Sequence, residues 1–147
     1  MRPWAPLLAF ALALTPLAVL HPVRVSGASM EPTLHDGDLR LGLRAWCAGK
    51  PERGQVWLAE GPEGAVIKRV VGLPGERLEQ RNGGILLEGR PLDEPSVQKD
   101  FRTLGPWDTG EGYLVMGDNR PKSRDGRTWG MLNRKSFRAR ILALYKT

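Results

Sequence analysis

The chain has one cysteine and two histidines among its 147 residues, and that scarcity closes off several kinds of chemistry. Cys47 has no partner for an intramolecular disulfide, so the fold must hold through its core alone. No Cys/His cluster and no metal-ligand spacing occurs, so no structural zinc is implied, and no metal or cofactor is called for. Aromatic residues make up only 7% of the chain, and no basic run or stacking motif accompanies the net charge of +6. No nucleic-acid partner is therefore expected. Basic side chains are interleaved with acidic ones, as in Glu76-Arg77-Leu78-Glu79-Gln80-Arg81, the pattern of a mixed solvated surface. Internal repeats and low-complexity tracts are absent, and the length allows one domain of modest size.

Charge is also missing from one stretch, Trp4 to Leu20, where Leu and Ala dominate. Its length is close to the lower limit of about 17 residues for crossing a bilayer. Residues 1–23 are expected to form an N-terminal membrane anchor, a single transmembrane helix in contact with membrane lipids, and residues 24–147 the folded domain. Pro16 would remove one backbone bond, a loss that membrane helices tolerate. The competing reading is a cleavable secretory signal, because Arg2 precedes the apolar run and Ser26-Gly27-Ala28 offers small residues for a cut. A cut after Ala28 would fall directly before Ser29, the candidate nucleophile below, and the anchor is preferred for that reason. Arg2 on one side of the run and Arg24, Arg40 and Arg44 on the other leave the charge rule for orientation indecisive.

What the chain has in quantity is glycine and proline, 18 and 12 residues, which favour short strands and turns. The fold class is expected to be mainly β. Asp38 to Leu43 alternates with period two, and Gln55 to Leu58 and Ala65 to Val71 are β-rich runs. Arg77 to Gln80 and Ile85 to Glu88 flank Asn82-Gly83, a hairpin signal, and Tyr113 to Met116 is another apolar strand. Phe137 to Tyr145 is compatible with helix or strand, and Glu94 to Gly110 reads as a long surface connection.

Three short segments bear on chemistry. Ser26-Gly27-Ala28-Ser29-Met30-Glu31-Pro32-Thr33-Leu34 places a serine among small residues and a proline, as a sharply turned exposed backbone would; taken alone it is an ordinary loop. Lys68 lies within Val66-Ile67-Lys68-Arg69-Val70-Val71, a run apolar enough for a buried strand. Period two sends Lys68 to the side of Val66 and Val70, and Arg69 to the side of Ile67 and Val71. Both charges could instead sit near a strand end and reach water. If Lys68 is buried, desolvation disfavours its ammonium form, and a lysine so depressed can act as a general base toward a serine hydroxyl. His35 is the other possible base, but the polar turn His35-Asp36-Gly37 argues for its exposure. The third segment, Met116 to Gly130, is too polar and glycine-rich for core and taken alone reads as a solvated hairpin tip.

Taken in order, Ser29-Met30-Glu31-Pro32-Thr33-Leu34, Lys68-Arg69-Val70-Val71-Gly72-Leu73-Pro74-Gly75 and Gly117-Asp118-Asn119-Arg120 through Ser123, Asp125, Arg127 and Gly130 resemble the motifs of type I signal peptidases. The resemblance runs from Val25 to about Met131. It implies a β-rich catalytic domain at the outer face of the cytoplasmic membrane, cutting signal peptides from preproteins after small-x-small sequences. Ser29 then matches the nucleophile, Lys68 the general base, and Ser123 a serine whose hydroxyl orients the lysine amine. Asp125, Arg127 and Arg69 match a structural ion-pair cluster. Gly126 stands where many relatives have serine, a position expected to be tolerant. Gly27 replaces the serine that completes the oxyanion hole in some relatives, a replacement that resembles the Gram-positive-like branch and leaves the Ser29 backbone N–H as the expected donor.

Three rivals to this reading differ in what they require. A self-cleaving repressor would use the same Ser-Lys chemistry, but no helix-turn-helix segment precedes Ser29. A non-catalytic anchored β-domain would not need Ser29, Lys68 and Ser123 intact. A maturation peptidase dedicated to one substrate, such as a pilin, shares every feature named.

Overall fold

The computed structural model describes residues 18–142. Residues 1–17, which carry most of the expected anchor, and residues 143–147 lie outside the described residues. Among the described residues no helix is long and apolar enough to cross a membrane. The end of the stretch assigned to the anchor is already sheet. Strand β1 (Leu20–Arg24) runs antiparallel to β2 (Leu39–Arg44), with Leu20 opposite Leu43 and Arg24 opposite Leu39. The reason is local: Val23 and Val25 are buried while Pro22 and Arg24 are exposed, a period-two pattern that a helix would break.

The remaining strands are β3 (Val56–Gly61), β4 (Gly64–Gly72), β5 (Arg77–Arg81), β6 (Gly84–Leu87), β7 (Arg90–Pro91), β8 (Leu104–Asp108), β9 (Leu114–Met116) and β10 (Phe137–Ile141). They form a six-stranded sheet in the order β1-β2-β10-β3-β4-β9 and a four-stranded sheet in the order β7-β6-β5-β8. The protein is mainly β, as its glycine and proline content indicates. Asn82 and Gly83 both take positive φ, 52° and 79°, the pairing that a two-residue turn between β5 and β6 requires.

Two segments differ from, or go beyond, the sequence reading. Glu94 to Gly110 is not all connection, because β8 pairs with β5. With Gly105 and Pro106 at its centre, β8 lacks the alternation of a strand and is tolerated because it lies at a sheet edge. The Phe137 segment is a strand between β2 and β3, with Phe137, Ala139 and Ile141 turned inward.

Three buried clusters hold the sheets. Trp57, Val70, Tyr113, Val115 and Phe137 pack on one face of the large sheet, with the Trp57 and Phe137 rings edge to face at 5.5 Å. Val23, Val25, Met30, Leu34 and Ile141 pack together with Ile67, so the turn carrying Ser29 is held down by its own Met30 and Leu34. Val71, Leu78, Ile85, Leu114 and Met116 join the two sheets. Each such side chain contributes about 1.5–3 kcal/mol by leaving water.

Candidate active site

Lys68 projects from β4 with only 5% of its surface exposed, and its Nζ donates to Ser29 Oγ at 2.6 Å. Burial is the main cause that holds the amine below the ordinary lysine value of 10.5. Asp125 pulls it back up, and Arg127 pushes it down again. A half-buried hydroxyl thus meets an amine that loses its proton more readily than a free lysine does. His35 is exposed and engages Asp38 through its backbone N–H at 3.0 Å, with no part in this contact.

The Ser29 turn is fixed from the loop after β9. The Asn119 N–H donates to the Ser29 carbonyl at 3.0 Å, and Asn119 Nδ2 donates to the Ala28 carbonyl at 3.1 Å. A Cβ at Gly117 would lie 2.4 Å from the Ser29 carbonyl oxygen and 2.2 Å from Ser123 Oγ, so only glycine fits there. Ser123 therefore stands beside the Ser29 backbone; its buried Oγ makes no well-aligned hydrogen bond among the described residues, though it lies close enough to the Asp125 carboxylate to help lower it. The expected contact with the Lys68 amine is not formed in this structure.

The arginines sort differently from the single cluster expected. Arg69 does not pair with Asp125; it holds Asp118, Nε to Oδ1 at 2.8 Å and Nη2 to Oδ2 at 2.5 Å. The cause is the strand's alternation, which sends Arg69 away from the Lys68 side, where Asp125 acts on the amine. Asp125 is paired with Arg127 alone, at 2.8 and 2.9 Å, and accepts the Gly117 N–H at 3.0 Å. Burial raises the Asp125 carboxyl, and Arg127, the Gly117 N–H and the Ser123 hydroxyl together more than offset it, leaving a net depression. Arg127 also bonds Asp100 at 3.0 Å and Gln80 at 3.1 Å, and Arg120 donates to the Gly117 carbonyl at 3.0 Å while pairing with Glu94.

Asp118, Asn119 and Gly117 belong to the Gly-Asp-Asn-Arg run, where their roles were not assigned. Asp100, Gln80 and Glu94 belong to no motif, and nothing in the sequence signals them. Gly126 is not tolerant: a Cβ there would meet Leu114 Cδ1 at 2.8 Å and the Val115 carbonyl at 2.9 Å. Gly27 has φ +83° and donates its N–H to Asp36 at 2.8 Å, so a serine at that position would be strained.

Two clefts flank Arg69. One of about 600 Å³ is lined by Thr33, Leu34, Val56 and Ile141 among others, and one of about 280 Å³ by Arg53, Val71, Glu94 and Val97 among others. Neither is lined by Ser29 or Lys68.

The site is thus a buried lysine amine against a serine hydroxyl within a two-sheet β-domain. The family model described as "Signal peptidase, peptidase S26" matches residues 2–145. Similar proteins include a signal peptidase I of Bacillus licheniformis, 34% identical over 88% of this chain and 78% of its own length. A signal peptidase I of Bacillus amyloliquefaciens is 35% identical over 84% and 74%. The crystal structure of a signal peptidase I from Enterococcus faecalis V583 aligns with a TM-score of 0.55 at 31% identity, covering 65% of this chain and 98% of that one. The chain belongs to the signal peptidase family, peptidase S26, and is a serine endopeptidase.

Proposed function

We propose that this protein removes N-terminal signal peptides from exported preproteins, cutting after small-x-small sites with Ser29 as nucleophile and Lys68 as general base. The 2.6 Å contact between the buried Lys68 amine and Ser29 Oγ carries this reading. In the neutral amine the contact runs in reverse, the hydroxyl donating to the nitrogen lone pair. As Ser29 Oγ attacks the scissile carbonyl carbon, its proton passes to Lys68. The carbon–nitrogen bond then breaks, and Lys68 returns the proton to the leaving amine. Water then loses a proton to Lys68 as its oxygen bonds to the acyl carbon; the bond from that carbon to Ser29 Oγ breaks, Lys68 returns the proton to Oγ, and the acid departs. Ser123, with its buried hydroxyl beside the Ser29 backbone, is assigned the positioning of the amine once Ser29 turns to substrate. Asp125, Arg127 and Arg69 brace the surrounding loop.

The uncharged run Trp4 to Leu20 supports a single-pass position in the cytoplasmic membrane. Preproteins present their cut sites after crossing, so the catalytic domain belongs on the outer side. The test is cleavage of a preprotein panel by detergent-solubilised enzyme. Wild type should release mature protein, and Ser29→Ala and Lys68→Met should release none while remaining folded. Cleavage by Ser29→Ala would overturn the assignment.

A further inference from the structure

We propose that Asn119 is a positioning residue that aims the Ser29 N–H at the oxyanion, an inference that rests on the Ser-Lys reading. The Ala28–Ser29 peptide is trans, so its carbonyl and its N–H point in opposite directions. Asn119 Nδ2 holds that carbonyl at 3.1 Å, which turns the Ser29 N–H away from Asn119. The next peptide is fixed from the same residue, its carbonyl accepting the Asn119 N–H at 3.0 Å. One buried side chain and its own backbone thus clamp the two peptide planes on either side of Ser29. No backbone carbonyl among the described residues accepts the Ser29 N–H, so it is free to donate.

The amide's own bonding agrees. A carbonyl only accepts, so the amide nitrogen must face Ala28, and Asn119 Oδ1 is left buried with no partner among the described residues. A buried unpaired acceptor is costly. Bearing that cost makes sense where the donor, at that spot and in that direction, is what the site needs. Ala28 also accepts the Glu31 N–H at 3.2 Å, and the Asn119 backbone N–H still holds the Ser29 carbonyl when the side chain is replaced, so the turn keeps two bonds without the Asn119 amide.

The test uses the full-length enzyme in detergent with a preprotein substrate. It adds a peptide aldehyde ending in alaninal, whose adduct with Ser29 puts an oxygen where the oxyanion forms. Asn119→Leu removes the donor at similar volume, and Asn119→Asp replaces it with an acceptor at the same shape. Rates are compared on the alkaline plateau, where Lys68 is neutral in every variant. Both variants should lose about 10²-fold in kcat with KM unchanged, the loss expected for a spoiled oxyanion donor. Aldehyde affinity should fall in parallel, and affinity for the unreactive product peptide should hold. If Asn119→Leu fails to fold, Asn119→Asp alone decides. Turnover within about threefold of wild type, or equal losses for aldehyde and product peptide, would overturn the inference. An inactive Ser29→Ala beside unimpaired Asn119 variants would sink this inference alone, whereas an active Ser29→Ala would sink the Ser-Lys reading beneath it.

Discussion

Arg69 grips Asp118 with a two-pronged contact, Nε to Oδ1 at 2.8 Å and Nη2 to Oδ2 at 2.5 Å, and Asp118 is fully buried. The residues adjacent in sequence are Lys68 on one side and Gly117 and Asn119 on the other. This fork therefore ties the strand carrying the amine to the loop that fixes the Ser29 turn. Asp118→Asn strips the charge from one partner and leaves Arg69 partly buried and uncompensated. It should cost about 3–5 kcal/mol in denaturant unfolding and lower turnover with it. The double variant Arg69→Met/Asp118→Leu, which removes both charges, should recover part of that stability.

Lys68 makes activity depend on pH in one direction. Its amine is depressed from 10.5 by burial, and the reaction needs the neutral form, so kcat/KM should rise from acid to a plateau as the amine loses its proton. A maximum in acid would exclude Lys68 as the base. The same shift affects stability. A lysine whose folded value lies below its unfolded value destabilises the fold fully below the folded value, and the penalty fades as pH rises toward 10.5. Lys68→Met should therefore be inactive yet more stable by about 1–2 kcal/mol near neutrality, with the advantage shrinking in alkali. Thermal melting across pH measures it.

Gly117 has no room for a methyl group between Ser29 and Ser123. Gly117→Ala should displace the Ser29 turn and reduce turnover by at least about 10²-fold, since misplacement on the scale of 1 Å is enough for that loss. Gly126→Ala meets backbone as well as side chain and should destabilise by about 1–3 kcal/mol. Gly27→Ala meets no atom, and its cost should be the backbone conformation alone, about 1–2 kcal/mol. Circular dichroism melts separate the three.

Asp100→Asn leaves Arg127 with Asp125 as its remaining carboxylate. Loss of a buried charge-assisted bond should lower stability by about 1–3 kcal/mol. Arg127 lowers the Lys68 amine, and with less compensation it should lower it further. The acid limb of the pH–rate profile should move to lower pH, whereas a purely structural role would leave the limb in place.

How much of this was legible in the sequence depends on range. The hairpin at Asn82-Gly83 and the alternating strands follow from local patterns, each with its own periodicity or turn chemistry, whereas the pairing of Lys68 with Ser29, 39 residues apart, is suggested by the three motifs taken together and by the family they resemble. Strand β8 was not legible, because an edge strand centred on Gly105-Pro106 takes its identity from its neighbour β5. The partner of Arg69 was misread for a similar reason. Period two predicts correctly that Arg69 faces away from Lys68, but not that Asp118 waits on that face. Gln80, Glu94 and Asp100 reach the site only through tertiary contacts with Arg127 and Arg120, and no local pattern marks them.

The four-stranded sheet looks like the part to excise in building a minimal catalyst, since neither Ser29 nor Lys68 belongs to it. Its excision would remove more than strands. The link between β7 and β8 supplies Glu94 to Arg120 and Asp100 to Arg127, and Gln98 donates its N–H to the Asp118 carbonyl at 2.9 Å. A chain shortened by that sheet would keep two nearly buried guanidinium groups, each short of a counter-ion, on both sides of Gly117. A cut at the exposed Asn82 tip would open a turn and leave every carboxylate where the arginines need it.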